Sequence, residues 1–583
     1  MLSIKKHLFF LFIITLIISC NNTPKPIADN RQNDYALYDA DGGFHRLSSY
    51  NNSKAIVLFV QGNGCPIVRN ALTDFHAIVN DFSEKGFTFF MLNSNIQDSK
   101  ETVKKEASEF NFKVPVLLDK YQLIAEELDI TITAEAIILH PTTREILYRG
   151  PINNRLDYEA QKTKPTETHL RDALSTIVKK RTPVSQQEVT RGCKVTRLSE
   201  LEKDKKLTYT KDIAPILAKN CVQCHRDDGI APWSMKDYQT VAGWSAMIKE
   251  VLLSRRMPPT KLDPTIGEFS NVNILPDSNR RKIINWIDAG LDPGIGKDTL
   301  TSIAQKDTIE WQGGTPDKIV SIKEETIPAS ELIPYRVQEL ALDLEMDLWL
   351  KGIEIKTDNK KVVHHVVVTS TSTPKSNPIL NRESRQWLDD LLGVSGDGQN
   401  DITFYPNNSG KLLKKGDKII VQIHYTPSGK IEKDKTKIGL YYHDSIPSKE
   451  HYVITPFDTK IEILPHAQNH KEIVYDSIKK NIKLYSIFPH MHYRGSSIST
   501  YVMYPNGIKK ILLSVPDYNF NWQQNYILKE PLDIPAGSKL IVEGVYDNTY
   551  QNPINPDPTS SVSYGRQSYD EMLCAFFSYT ITE

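Results

Sequence analysis

Hydrophobic and polar positions alternate with three different rhythms along this chain. In residues 35–195 short apolar runs take turns with helical stripes. Ala55-Ile56-Val57-Leu58-Phe59-Val60 is rich in β-forming residues. After Gly62-Asn63-Gly64, the residues Leu72, Phe75, Val79 and Phe82 fall on one helical face, and Gly86 can end that helix. Strands are predicted at 87–92, 114–118, 136–139 and 146–148, with helices at 99–110 and 167–178. That order predicts an α/β sheet with crossovers. In residues 207–298, Ile213, Ile216 and Leu217 share one helical face, and Ile283, Ile284, Ile287 and Leu291 form a stripe capped by Asp277 or Ser278. This predicts a small all-α domain. From residue 308 onward helical stripes give way to β-rich runs at 362–368, 418–425, 438–442, 484–488, 497–503 and 539–545, separated by Pro, Gly, Asn and Asp. Such spacing predicts two consecutive all-β sandwich domains, 308–448 and 449–583.

Composition adds two constraints. The 583 residues carry 71 basic and 71 acidic side chains, so no strong field points to nucleic acid. Six cysteines are few for a secreted chain of this size, which excludes a disulfide scaffold. Lys5 and Lys6 precede an apolar run ending at Ile18 that is too short to span a bilayer comfortably. The sequence Ile17-Ile18-Ser19-Cys20, followed by Asn21, Asn22 and Pro24, resembles a bacterial lipoprotein signal. The resemblance implies a signal peptide at 1–20, lipid on Cys20, a linker at 21–34, and a chain anchored in the cell envelope, facing the periplasm or the cell surface, with the outer membrane the expected site. An ordinary signal peptide with an incidental cysteine is the alternative.

Cys221-Val222-Gln223-Cys224-His225 has the spacing for covalent haem c. The thiols add to the haem vinyl groups, and the imidazole ligates the iron. Structural zinc would need two further ligands at matching spacing, and none stands between Thr208 and Pro293. A thioredoxin-like redox pair is also compatible with the bare motif but lacks the trailing histidine. The domain resembles cytochrome c. Met257 is the expected sixth ligand, because Pro258 and Pro259 hold its loop extended; Met235 and Met247 compete.

Residues 35–195 resemble a thioredoxin-like redoxin domain. Cys65-Pro66 stands at the strand-to-helix turn where that family keeps its reactive cysteine, and Glu135 to Leu139 with Leu147-Tyr148-Arg149-Gly150 match its later strands. The chain departs from the family at Val68 and Gly62, where a Cys-x-x-Cys partner would stand, and at Ala134, where a cis-proline is usual. Cys65 and Cys193 are the candidate redox thiols, as a structural or vestigial pair, a working switch, or two unpaired thiols.

Histidines gather at His364-His365, at His424 and at His490-Met491-His492. In a strand His490 and His492 face one side, so both can bind one metal, whereas His364 and His365 can do so only if their strand bends. The series resembles the copper type II monooxygenases. The resemblance implies one copper on His364, His365 and His424 and a second, catalytic one on His490, His492 and Met572. It further implies a jelly-roll fold for the two sandwiches and hydroxylation of a C–H bond with O2 and external electrons. The animal enzymes of that family carry several disulfides, whereas Cys574 stands alone here. His443, His451, His466 and His470 match no motif and read as surface or packing residues. The expectation is a copper-dependent monooxygenase with two copper ions and one haem c. It would act on an unknown small-molecule or peptide substrate and draw on an external electron donor. The alternatives are an electron-transfer or copper-handling lipoprotein without turnover, an extracytoplasmic thiol oxidoreductase, and a purely structural surface lipoprotein.

Overall fold

The computed structural model describes residues 34–156, 161–181, 190–227, 229–303, 310–331, 333–371, 390–396, 401–406 and 408–583. The expected signal peptide and Cys20 lie outside them. Among the described residues no helix is long and apolar enough to cross a membrane.

The first domain is a five-stranded sheet in the order Val116–Leu118, Thr88–Asn93, Ile56–Gln61, Glu135–Leu139, Ile146–Pro151. The first three strands run parallel and the last two antiparallel. Every residue of Ile56–Gln61 is buried, as a strand covered on both faces requires. Val57 and Phe59 pack with Phe75, Val79 and Phe82 of the helix Pro66–Ser83. Ile56, Leu58 and Val60 point the other way, into a cluster that continues through Tyr209, Ile213, Leu217 and Trp286 of the helical domain. The α/β and helical domains thus share one core.

The helical domain contains Ala214–Asn220, Tyr238–Gly243, Ser245–Leu253 and Asp277–Asp288 around the fully buried Trp286. Two expectations need correction. Asp277 and Ser278 are not caps: the helix begins at Asp277, after Pro276, and the Asp277 carboxylate pairs with Arg255 at 2.7 Å and Arg280 at 3.4 Å. Leu291 lies beyond the helix end but still packs on the same core, its N–H donating to the Trp286 carbonyl.

The β half contains two sandwiches, but they are not separate. A four-stranded sheet (Arg336–Ala341, Lys418–Tyr425, Val363–Ser370, Leu391–Gly396) faces one part of a nine-stranded sheet. A second four-stranded sheet (His470–Ser477, Lys539–Tyr546, Gly495–Met503, Lys509–Val515) faces the other part. The nine-stranded sheet crosses the expected 448/449 boundary, because Ser409–Leu413 and Lys449–Ile454 pair in parallel at Ser409–Lys449 and Gly410–Glu450.

The helical domain also reaches the second sandwich. Leu262 is buried in that sandwich's core. Phe269 bridges Leu528, Asp263 N–H donates to Ser514, and Lys529 N–H donates to Glu268. Asp517 accepts from Arg46 of the α/β domain at 2.9 Å and pairs with Lys261 at 3.1 Å, so three domains meet at one carboxylate.

Candidate metal centre

The bend demanded by His364 and His365 is present. Pairing between Val363–Ser370 and Lys418–Tyr425 shifts register between Val363 and His365, a bulge that re-aims one side chain. The His364 and His365 Nδ1 atoms are consequently 3.0 Å apart, and His424 sits across the ladder from His365. Each of the three rings offers a nitrogen within 4.8 Å of the others. Among the described residues no hydrogen-bond partner meets the buried His364 Nε2 or His424 Nδ1. Burial holds His364 down at about 4 and His424 at about 3, and pushes His365 well below its ordinary value. All three are therefore neutral imidazoles with lone pairs to give, which is what a copper ion takes.

His490 and His492 come from the end of Ile482–Met491 and the turn after it, their ring centroids 5.0 Å apart. His490 Nδ1 lies 2.7 Å from Gln523 Oε1, and His492 Nδ1 lies 3.2 Å from the Asp570 carbonyl. An amide or carbonyl oxygen can only accept, so each Nδ1 carries the proton and each Nε2 is left for a metal. Met572 is 3% exposed and, with His490 and His492, lines a cavity of about 360 Å³ that also receives His365. Val367, Val394, Phe488 and Phe576 give that cavity apolar walls. The donor set fits copper at both places: three imidazoles in one, two imidazoles and a thioether in the other.

Several residues at this site carry no signal in the sequence. Phe520 is fully buried between the two sets, 5.6 Å from His364, 5.7 Å from His424 and 6.1 Å from His492 by ring centroid. Tyr335 lies 4.9 Å from His424. Glu571, wholly buried, accepts the N–H groups of His492 at 3.1 Å and Arg494 at 2.7 Å and so shapes the turn that carries His492. Burial raises its carboxyl to about 8 against the pull of Arg494 and the backbone N–H groups. An acidic residue directly before Met572 was the one available clue.

The Cys221–His225 motif forms a turn at the end of Ala214–Asn220, with Cys224 and His225 N–H both donating to the Cys221 carbonyl. His225 is buried, and its Nδ1 lies 3.0 Å from the Trp233 carbonyl, which leaves Nε2 open to a ligand. Met235 N–H donates to the His225 carbonyl, so Met235 belongs to the loop on the histidine's own side. Met257 follows Ser245–Leu253 and is 39% exposed; Met247 is exposed on that helix. A cavity of about 230 Å³ beside Cys224 is lined by Pro258 and Pro259 and, from the sandwiches, by Val363 and Trp522. The motif and the residue that precedes His364 thus border the same cavity.

In the α/β domain Cys65 stands at the N-cap position of Pro66–Ser83. Ile132 bridges Lys194, and Thr133 exchanges hydrogen bonds with Cys193, its N–H to the Cys193 carbonyl and its hydroxyl accepting the Cys193 N–H. Only glycine fits at 192, where a Cβ would stand 1.9 Å from the Thr133 carbonyl oxygen. The pairing brings Cys193 Sγ to 2.9 Å from Cys65 Sγ, with both thiols free. Of the unassigned histidines, His451 is buried and stacks on Tyr405 at 4.4 Å, a packing residue as expected.

Compared with known proteins, residues 29–153 match the AhpC/TSA family and residues 449–581 match the copper type II ascorbate-dependent monooxygenase, C-terminal domain. The second match contains His490, His492 and Met572; His364, His365 and His424 lie before it. No curated protein matches the chain. Among solved structures, an uncharacterized conserved protein from Geobacillus kaustophilus is 26% identical over 28% of this chain and 89% of its own, with a TM-score of 0.26. A hypothetical protein from Sinorhizobium meliloti is 22% identical over 28% and 91%, with a TM-score of 0.26. A thiol:disulfide interchange protein from a Bacteroides species is 17% identical over 25% and 87%, with a TM-score of 0.20. The chain thus carries a redoxin domain and a copper type II monooxygenase-like module.

Proposed function

We propose that this protein is a copper-dependent monooxygenase that hydroxylates a C–H bond of a small-molecule or peptide substrate with O2. In this reading a lipid on Cys20 anchors it in the cell envelope. The observation that carries the proposal is the shared cavity: His365 of one histidine set and His490, His492 and Met572 of the other open into the same apolar space. Copper, when bound, supplies single-electron chemistry and O2 activation. The chain's own part is to hold His364, His365 and His424 neutral, to fix the tautomers of His490 and His492 through Gln523 and Asp570, and to offer the thioether that favours Cu(I). Val367, Val394, Phe488 and Phe576 keep the substrate's side of the cavity dry.

We assign electron entry to a c-type haem held by Cys221 and Cys224, with His225 and Met257 as axial ligands. Two features support it: the Trp233 carbonyl orients His225 with Nε2 open to a ligand, and Cys224 and Val363 line the same cavity. Metal and haem analysis of the purified protein tests the cofactors, with two coppers and one haem per chain expected. Oxygen uptake coupled to substrate tests turnover; full copper and haem loading without uptake would instead make the protein an electron-transfer or copper-handling lipoprotein. A second reading, thiol oxidoreductase activity, is favoured by the 2.9 Å approach of Cys65 and Cys193. Turnover of a disulfide substrate by copper-free protein would select it.

A further inference from the structure

The two histidine sets share one structural support, the loop 519–525. Phe520 touches rings of both sets, stacking nearly parallel on His364 with an interplanar angle of 13°. Gln523 holds His490 Nδ1 at 2.7 Å, and its own amide donates to the Phe520 carbonyl at 3.0 Å. Trp522 N–H donates to the Asn519 carbonyl, and Asn521 N–H to Asn519 Oδ1, so the loop is braced internally.

The start of this loop is held within the β half, where the Tyr518 N–H donates to the Ser496 carbonyl and the Tyr518 hydroxyl bridges the Met491 N–H and carbonyl; its far end is held from outside. Asn271, on the segment between two helices of the helical domain, makes two hydrogen bonds to it and one to the strand that follows, Tyr526–Ile534. Its Nδ2 donates to the Asn525 carbonyl at 2.6 Å, its Oδ1 accepts the Ile527 N–H at 2.9 Å, and its carbonyl accepts from Gln524 Nε2 at 2.9 Å. Two of the contacts fall at the end of the loop, one and two residues after Gln523, and the third, at Ile527, fixes the strand into which the loop runs. A rotation of that end displaces the amide that orients His490 and, through Phe520, the packing against His364.

The geometry assigns Asn271 the role of a positioning residue for both copper sites, acting through 519–525. The helical domain then does more than stand beside the copper module: it sets the ligand geometry there. The assignment rests on the copper reading above. A partner that orients a metal-bound histidine typically governs affinity by about 10- to 100-fold, and Asn271 acts one step further out.

The test is copper titration and Cu(II) electron paramagnetic resonance on the full chain. Asn271→Ala is expected to bind copper roughly tenfold more weakly at the His490 set and to shift the copper signal, while Asn271→Asp, which keeps the acceptor for Ile527, recovers part of both. Wild-type affinity and spectrum in folded Asn271→Ala would overturn the assignment. If that variant does not fold, Gln524→Met removes a single bond to Asn271 and is read the same way. Failure of the wild-type protein to bind copper would instead overturn the copper reading itself, so the two failures are distinguishable.

Discussion

Cys193 Sγ donates to Cys65 Sγ across 2.9 Å, although 128 residues separate the two thiols in the chain. Burial alone would raise the Cys65 thiol, but the Cys193 thiol, the Thr133 hydroxyl and the backbone N–H groups of Val68 and Cys193 outweigh it and lower it. Burial and the neighbouring Cys65 push Cys193 up to about 11. The polarity is that of an attacking thiolate and a protonated partner. Mild oxidation should therefore remove two hydrogens from the intact mass and block both cysteines to alkylation. In the Cys193→Ser protein Cys65 should alkylate with its pH midpoint below the ordinary 9.0, and adding Thr133→Val should move that midpoint upward. Two freely alkylated thiols after oxidation would sink the idea of a pair.

The junction at Asp517 makes a prediction about pH. Burial depresses the Lys261 ammonium from 10.5 to about 8, with Arg46 and Arg280 adding to the depression and Asp517 opposing it. The folded state then binds fewer protons than the unfolded state between those values. Its contribution to stability is lost as pH falls through about 8 and is full above 10.5, so this junction should tighten as pH rises across that window. Asp517→Ala should leave Lys261 and Arg46 without their counter-charge and cost about 3 kcal/mol. Thermal unfolding as a function of pH reads the first, and limited proteolysis of the segment 254–272 reads the second. A flat profile for wild-type and variant alike would argue that Lys261 does not titrate there.

The two copper sets should be separable by ligand removal. His424→Ala should lower copper content by one equivalent and leave the methionine-containing site loaded. Met572→Leu, close in volume, should keep the fold and weaken Cu(I) at the other site by about 100-fold or more, since loss of a ligand exceeds loss of its orienting partner. Chelation of wild-type protein should abolish oxygen uptake, and copper should restore it. Loss of both copper equivalents in either variant would show that the sets are not independent.

Trp286 is fully buried at the centre of the helical domain, and its indole N–H donates to the Asp292 carbonyl at 2.9 Å. Trp286→Ala should cost about 3–5 kcal/mol by chemical denaturation. Because the helical and α/β domains share a core through Ile56, Leu58 and Val60, the two should lose their structure together. Separate transitions would show that the cluster does not couple them.

Local patterns in the sequence were readable wherever the cause was local. The helix Pro66–Ser83 follows from its apolar stripe, and the shared cavity of His490 and His492 from the period of a strand. The need for a bend at His364-His365 followed from the same period, yet the bulge that provides it depends on register against a strand some sixty residues onward. Gln523, Phe520 and Asn271 carry no mark in the sequence because nothing periodic distinguishes a loop residue whose partner lies far along the chain, in the same sandwich for Gln523 and in another domain for Asn271. The continuous sheet was missed for a related reason: only two residue pairs join Ser409–Leu413 to Lys449–Ile454, and neither strand carries a mark of its neighbour.

That short parallel seam has a mechanical meaning. Two sandwiches joined by a bare linker can open and close like a jaw. Here the hydrogen bonds at Ser409–Lys449 and Gly410–Glu450 tie one sandwich to the other beside the chain crossing. The gap between the two histidine sets is therefore that of a locked caliper. Its width is set by the register of one sheet rather than by the length of a linker.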